Sequence, residues 1–226
     1  SLPKALNMYG PDGAWAEGPG YWGYATRYTA YGFSALRTAL DTDFGLLDIE
    51  GISEAGFAPI HTTGPTGLYL NYADSGERNA RRPMFQVFWL ADVFKSDFMA
   101  ANEHDLIAEH RASAQHIVWY IPRPTASQNN PSLEQFRGPV EVALMRSSGD
   151  SHDALFVGFK AGYNQANHAH LDLGNFELDA LGVRWVRDLG SDQYNLPNYW
   201  DKGKGGARWE YWRLGAHSHN VITIAG

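Results

Sequence analysis

Near residue 120 the hydrophobic period of this chain changes, and that change limits the folds open to it. Tyr21, Tyr24, Ala25, Tyr28, Tyr31, Ala35 and Leu36 recur at three- and four-residue steps, the spacing of one helical face, so a helix is expected over 21–40. Pro19 and the Pro11-Asp12-Gly13 turn stand just ahead of it, where a helix starts. Residues 83–94 and 102–110 read as two further helices. Residues 51–79, rich in Gly, Thr and Pro, read as a long loop, a kind of segment that often carries function. Pro and polar residues after Ile121 mark a linker. Beyond it the period becomes two: Val140, Val142 and Leu144 alternate with Glu141, Ala143 and Met145. Short strands are expected at 154–159, 174–178, 183–186 and 219–224, with Gly turns between. The layout is therefore a helical part over 1–120, a linker over 121–136 and an antiparallel β-sandwich over 137–226.

Composition removes several function classes. The 226 residues include no Cys, which excludes disulfides, thiolate metal sites and a Cys nucleophile. No apolar run approaches the roughly 20 residues of a membrane span. A formal net charge of −7 argues against a nucleic-acid partner. The 8 Trp and 12 Tyr suit sugar stacking as well as core packing.

Three clusters could carry chemistry. In Asn167-His168-Ala169-His170-Leu171-Asp172, a strand would put His168, His170 and Asp172 on one face, an acid–base or metal-binding surface. Asp188, His217 and His219 follow, and two His with one Asp and a water is a common tetrahedral zinc set. The second cluster, residues 12–24, joins Glu17, Trp15, Tyr21 and Tyr24 to several glycines at a helix start; packed aromatics are its simplest reading. The third, residues 70–78 with Arg81 and Arg82, reads either as an anion-binding loop or as a salt-bridged helix start.

Taken in order, "DGAWAEGPGYWGY", "LNYADS", "NHAHLDLGNFELDALGVRWVRDLG" and "HSHNVITI" resemble the heparinase II/III-like polysaccharide lyases over about residues 8–224. The resemblance implies an (α/α) toroid followed by an antiparallel β-sandwich, and β-elimination of a uronic-acid polysaccharide. It implies a catalytic Tyr at Tyr21, a catalytic-site His at His168 and an acid at Glu17. Trp15, Tyr24, Tyr72 and Arg78 would bind substrate. His170, Asp188 and His219 would hold zinc, chiefly in a structural role. In alginate-lyase relatives an Arg stands two residues after the catalytic Tyr; here that position is Gly23, which speaks against alginate. Family members also carry carboxylate-neutralising residues well upstream of the Tyr, and a sandwich continuing past the "HN" strand. The sequence is therefore expected to be the middle of a longer lyase, with an acidic polysaccharide as partner and a periplasmic or secreted location. The rivals are a glycoside hydrolase using Asp12 with Glu17, a cupin-like metal enzyme and a non-catalytic carbohydrate-binding fragment.

Overall fold

The computed structural model describes residues 2–76, 81–125 and 129–224. Six helices come first: α1 (Leu2–Leu6), α2 (Pro19–Leu40), α3 (Phe57–His61), α4 (Phe85–Phe94), α5 (Asp97–Glu109) and α6 (Gln115–Val118). Five strands follow: β1 (Leu133–Phe136), β2 (Val140–Arg146), β3 (Phe156–Gly162), β4 (Phe176–Ala180) and β5 (Val183–Val186). They form one antiparallel meander in the order β1-β2-β3-β4-β5. The expected succession of helices and antiparallel strands is thus present. β1 falls inside the segment read as linker, and the strand expected over 219–224 is not formed.

Helix α2 has Pro at its first turn, where a missing N–H costs nothing, and ends at Asp41 in the left-handed region. Its buried face is Trp22, Thr26, Ala30 and Phe33. The tyrosine stripe that marks this helix in the sequence is offset from that face, so Tyr24 and Tyr28 are more than half exposed. α4 is buried on every side from Phe85 to Ala91 and forms the centre of the helical part. α5 folds back on it after Ser96, whose hydroxyl caps the Met99 N–H.

The sheet turns an unusual face to the helices. β2 supplies buried Val140, Val142 and Leu144. The same face of the next strands buries Lys160, Glu177, Asp179 and Arg184. Each charge has a partner, as burial requires. Lys160 pairs with Asp172, while Arg184 pairs with Asp179 at 2.7 Å and with Glu177 at 3.1 Å. Arg184 also donates to the Tyr69 and Leu68 carbonyls, Glu177 accepts the Asn71 N–H, and Asp179 accepts the Thr66 hydroxyl. The charged face therefore clamps the loop between α3 and α4 and fixes where Asp74 stands. On the opposite face Met145, Phe159, Phe176 and Trp185 are at least one-third exposed.

Where the helices meet β1, burial holds the His61 imidazole down at about 4, helped by the charges of Arg146 and Arg81, against the hydrogen bond to Asn130. Glu134 stands 3.8 Å away and is partly solvated, too far to offset burial. The unfolded chain takes up this proton first, so stability is lost as pH falls from about 6.5 towards 4. The loss reaches about 3 kcal/mol. Urea midpoints at pH 7 and pH 4.5 should show this fall for the protein, and a smaller one for His61→Gln. Equal falls would assign the acid sensitivity to other groups.

Candidate active site and metal centre

The site begins with a close approach. Gly18 caps α2 with φ +89°, and a Cβ there would stand 2.6 Å from the Tyr72 carbonyl and 2.7 Å from the Ser75 side chain. The Gly20 N–H donates to the Ser75 hydroxyl at 3.0 Å. The first turn of α2 is thereby pressed onto the loop that carries Asp74, and Glu17 and Tyr21 come with it.

Asp74 is the hub. It is buried, and its two oxygens accept from His168 Nδ1 at 2.6 Å and His170 Nε2 at 2.8 Å. Arg208, wholly buried, and the Tyr199 hydroxyl each stand 3.5 Å from Oδ1. Burial alone would raise the Asp74 carboxyl. The hydrogen bonds from His170 and His168, with the charges of His170 and Arg208, outweigh it and hold the group at about 2. Asp74 is thus a fixed anion that orients two imidazoles. The loop motif "LNYADS" draws attention to this stretch, but nothing local shows that its Asp organises a site.

His168 and His170 do not lie on a strand. They sit in the loop between β3 and β4, and His168 has φ +56°, a left-handed conformation that a non-glycine residue adopts only when its surroundings demand it. The alternation expected to put His168, His170 and Asp172 on one face is absent, and they separate. His168 faces the helices. His170 faces the metal set. Asp172 turns inward to Lys160.

The Tyr21 ring packs on His168 with centroids 4.6 Å apart, and its hydroxyl lies 2.8 Å from that of Tyr194. Tyr194 also approaches His168 Nδ1 at 3.5 Å. Burial and the hydrogen bond to Tyr21 both push the Tyr194 phenol well above its ordinary range, so it remains a donor. Glu17 accepts from Asn167 and from the Trp15 indole, and lies 3.9 Å from His168 Nε2. Trp200 stands edge-on to His168 at 5.3 Å, with Lys202 at its ring. Tyr194, Tyr199, Trp200, Lys202 and Arg208 were not singled out from sequence; their only signal is the aromatic, Gly-rich run from 194 to 212.

The substrate-binding residues divide. Tyr24 is exposed one helical turn beyond Tyr21, against Tyr28. Trp15 packs edge-on against Tyr9 and donates its indole N–H to Glu17 at 3.3 Å. Tyr72 was expected to line the cleft but is buried, its hydroxyl donating to the Trp15 carbonyl at 3.0 Å and its phenol raised by burial. It braces the helix start. Arg78 lies outside the described residues.

His170, Asp188 and His219 each bury a ligand atom, all within 4.8 Å of one another. His170 donates from Nε2 to Asp74, leaving Nδ1 buried without a partner. His219 donates from Nδ1 to Asp188 at 2.5 Å, leaving Nε2 buried without a partner. Asn175 and the Gly190 N–H hold the Asp188 carboxylate. Two unsatisfied imidazole nitrogens beside a carboxylate suit a borderline-soft divalent ion such as zinc. Asp74 then stands behind His170 as the outer carboxylate that fixes a ligand's tautomer.

The cavity of about 500 Å³ lined by Phe57, His61, Phe98 and Phe136 lies away from this cluster. The Tyr21–Tyr194 contact is open to solvent. Among the described residues no helix is long and apolar enough to cross a membrane.

Residues 142–226 match the family model described as Heparinase II/III-like, C-terminal. Comparison with curated proteins gave no match. Among solved structures, a heparan sulfate lyase HepC mutant from Pedobacter heparinus aligns at 22% identity and TM-score 0.60, covering 86% of this chain and 29% of that one. The heparinase III BT4657 gene product aligns at 18% identity and TM-score 0.64, covering 99% and 32%. A further heparinase III aligns at 15% identity and TM-score 0.65, covering 99% and 34%. This chain therefore spans about a third of the length of the solved proteins it matches. Residues 142–226 thus resemble the C-terminal part of the heparinase II/III-like family, and the fold of nearly the whole chain is similar to that of the heparinase III structures.

Proposed function

We propose that this chain carries the catalytic junction of a polysaccharide lyase that cleaves a uronic-acid glycan by β-elimination. The observation that carries the reading is the contact of the Tyr21 phenol with both His168 and the Tyr194 hydroxyl, beside a buried Asp74. The solved proteins of similar fold whose names mention heparan sulfate lyase or heparinase support the substrate class.

The C5 proton of a uronate is weakly acidic, so its removal needs a placed base and stabilisation of the charge on the carboxylate. Tyr194 donates its hydroxyl to the Tyr21 oxygen and so stabilises Tyr21 as phenolate. Tyr21 accepts the C5 proton. The C–H electron pair forms the C4–C5 double bond, the C4–O4 bond breaks, and the leaving oxygen takes a proton, which the Tyr21 phenol can return. His168, tethered through Nδ1 to Asp74, presents Nε2 towards Glu17 and the cleft, where it would bind the substrate carboxylate. Tyr24, Trp200 and Lys202 flank that surface and suit stacking and charge pairing with an acidic sugar. Zinc held by His170, Asp188 and His219 would supply a structural crosslink between the loop of His168 and the end of β5.

Incubating the protein with a panel of uronic-acid polysaccharides should give a product absorbing in the near ultraviolet, the mark of the C4–C5 double bond. New reducing ends without that absorbance would point to a hydrolase instead. Elemental analysis should find about one zinc per chain, and His170→Ala should lose it together with several degrees of thermal midpoint. A zinc-free protein of unchanged activity would end the metal assignment.

A further inference from the structure

A second polar site lies at the other end of the sheet. β3 runs from Phe156, beside this site, to Gly162, where the His168 loop begins. Six residue steps at roughly 3.3 Å put the two about 20 Å apart. A cavity of about 210 Å³ opens there, lined by Thr63, Asn130, Ser148, Ser151, Arg81 and Arg146, among others. A water's share of liquid volume is about 30 Å³, so the space suits a small ion with a few waters and not a whole disaccharide.

Two guanidinium groups in this wall are more than nine-tenths buried, Arg81 at 7% and Arg146 at 9% exposure. Nη2 of Arg81 and Nε of Arg146 have no hydrogen-bond partner. Arg146 uses Nη2 on the His61 carbonyl at 2.6 Å and lies over the Phe156 ring. Buried guanidinium groups are ordinarily paired, because desolvating one without a counter-charge is costly. Both charges also lower the neighbouring His61 imidazole, after burial. Glu103 and Asp105 act on Arg81, and Glu134 on Arg146, through charge alone, with no described hydrogen bond between them. Asp150 supplies a carboxylate to the lining, but its Oδ1 is occupied by the Ser148 hydroxyl and the residue is exposed.

We propose that Arg81 and Arg146, with Asn130 and Ser151, form a binding site for a sulfate-type oxyanion, either a free ion or the sulfo group of a saccharide. The forked donors of Arg match oxyanion geometry, and the seryl and amide groups around them can satisfy the remaining oxygens. The site is separate from the Tyr21 junction, so it stands or falls independently of the lyase reading.

Equilibrium dialysis of the purified protein against radiolabelled sulfate, at constant ionic strength in chloride, tests it. Saturable binding is expected. Arg81→Met should weaken binding about 10- to 100-fold, the loss of a charge-assisted contact. The same variant should unfold no more easily than the parent in sulfate-free buffer, since it removes a buried guanidinium whose Nη2 has no hydrogen-bond partner. Asp150→Asn, an exposed change that leaves packing intact, should tighten sulfate several-fold. Displacement of the label by a sulfated disaccharide but not by its unsulfated counterpart identifies a saccharide sulfo group as a ligand; failure of both to displace it identifies the free ion. Absence of saturable sulfate binding, or binding that neither Arg81→Met nor Asp150→Asn alters, would overturn the proposal.

Discussion

Tyr21→Phe should lower the rate of unsaturated-product formation by about 10²- to 10⁴-fold, the usual contribution of a placed general base or acid. The substitution deletes one oxygen. That oxygen makes a single described hydrogen bond, to Tyr194, in a solvent-exposed position, so the stability cost should stay under about 1 kcal/mol. The ring contact with His168 survives, and the folded site keeps its shape. Steady-state rates read by near-ultraviolet absorbance, with urea unfolding of the same samples, separate the two effects. Retained activity would remove Tyr21 from the chemistry. Loss of activity with an equally large loss of stability would make the residue structural.

The second large effect is expected at Asp74. Asp74→Asn keeps the shape but removes the anion that faces Arg208, His168 and His170. Arg208 is wholly buried, and its remaining described polar partners are the carbonyls of Ala169 and Tyr199. Stripping a buried charge of its counter-charge costs about 3–5 kcal/mol. The amide also presents N–H groups to donors, so one of the two imidazoles must turn. The urea midpoint should therefore fall, and activity should fall even where the variant is fully folded, because His168 loses its tether. A variant within about 1 kcal/mol of the parent, with normal activity, would show that Asp74 is no hub.

Much of the architecture was legible before any coordinates. The hydrophobic period is a local property, and it separated α2, α4 and α5 from β2, β3 and β5. The period did not say which face of α2 is buried: the tyrosine stripe is offset from Trp22, Thr26, Ala30 and Phe33, because Tyr is both aromatic and polar and serves exposed and buried positions alike. It also missed the charged inner face of β3–β5, since Lys160, Glu177, Asp179 and Arg184 alternate with apolar residues as an outward face would. His170, Asp188 and His219 were chosen from residue type and family resemblance, and in the structure their candidate ligand atoms lie within 4.8 Å of one another. Tyr72 shows the reverse: a tyrosine in a loop suits a cleft, yet packing buried it beneath Trp15.

By itself the sequence determined the order of helices and strands, the absence of thiol chemistry, and the set of His, Asp and Tyr from which a site had to be drawn. Only the tertiary structure decided which of them meet. Tyr21 touches Tyr194 across 173 residues, and Asp74 reaches His168 and His170 across 94 and 96. Contacts so distant leave no trace in local spacing. They exist because the glycine at 18 lets a helix start close on a loop, and because a buried row of charges holds that loop against the sheet.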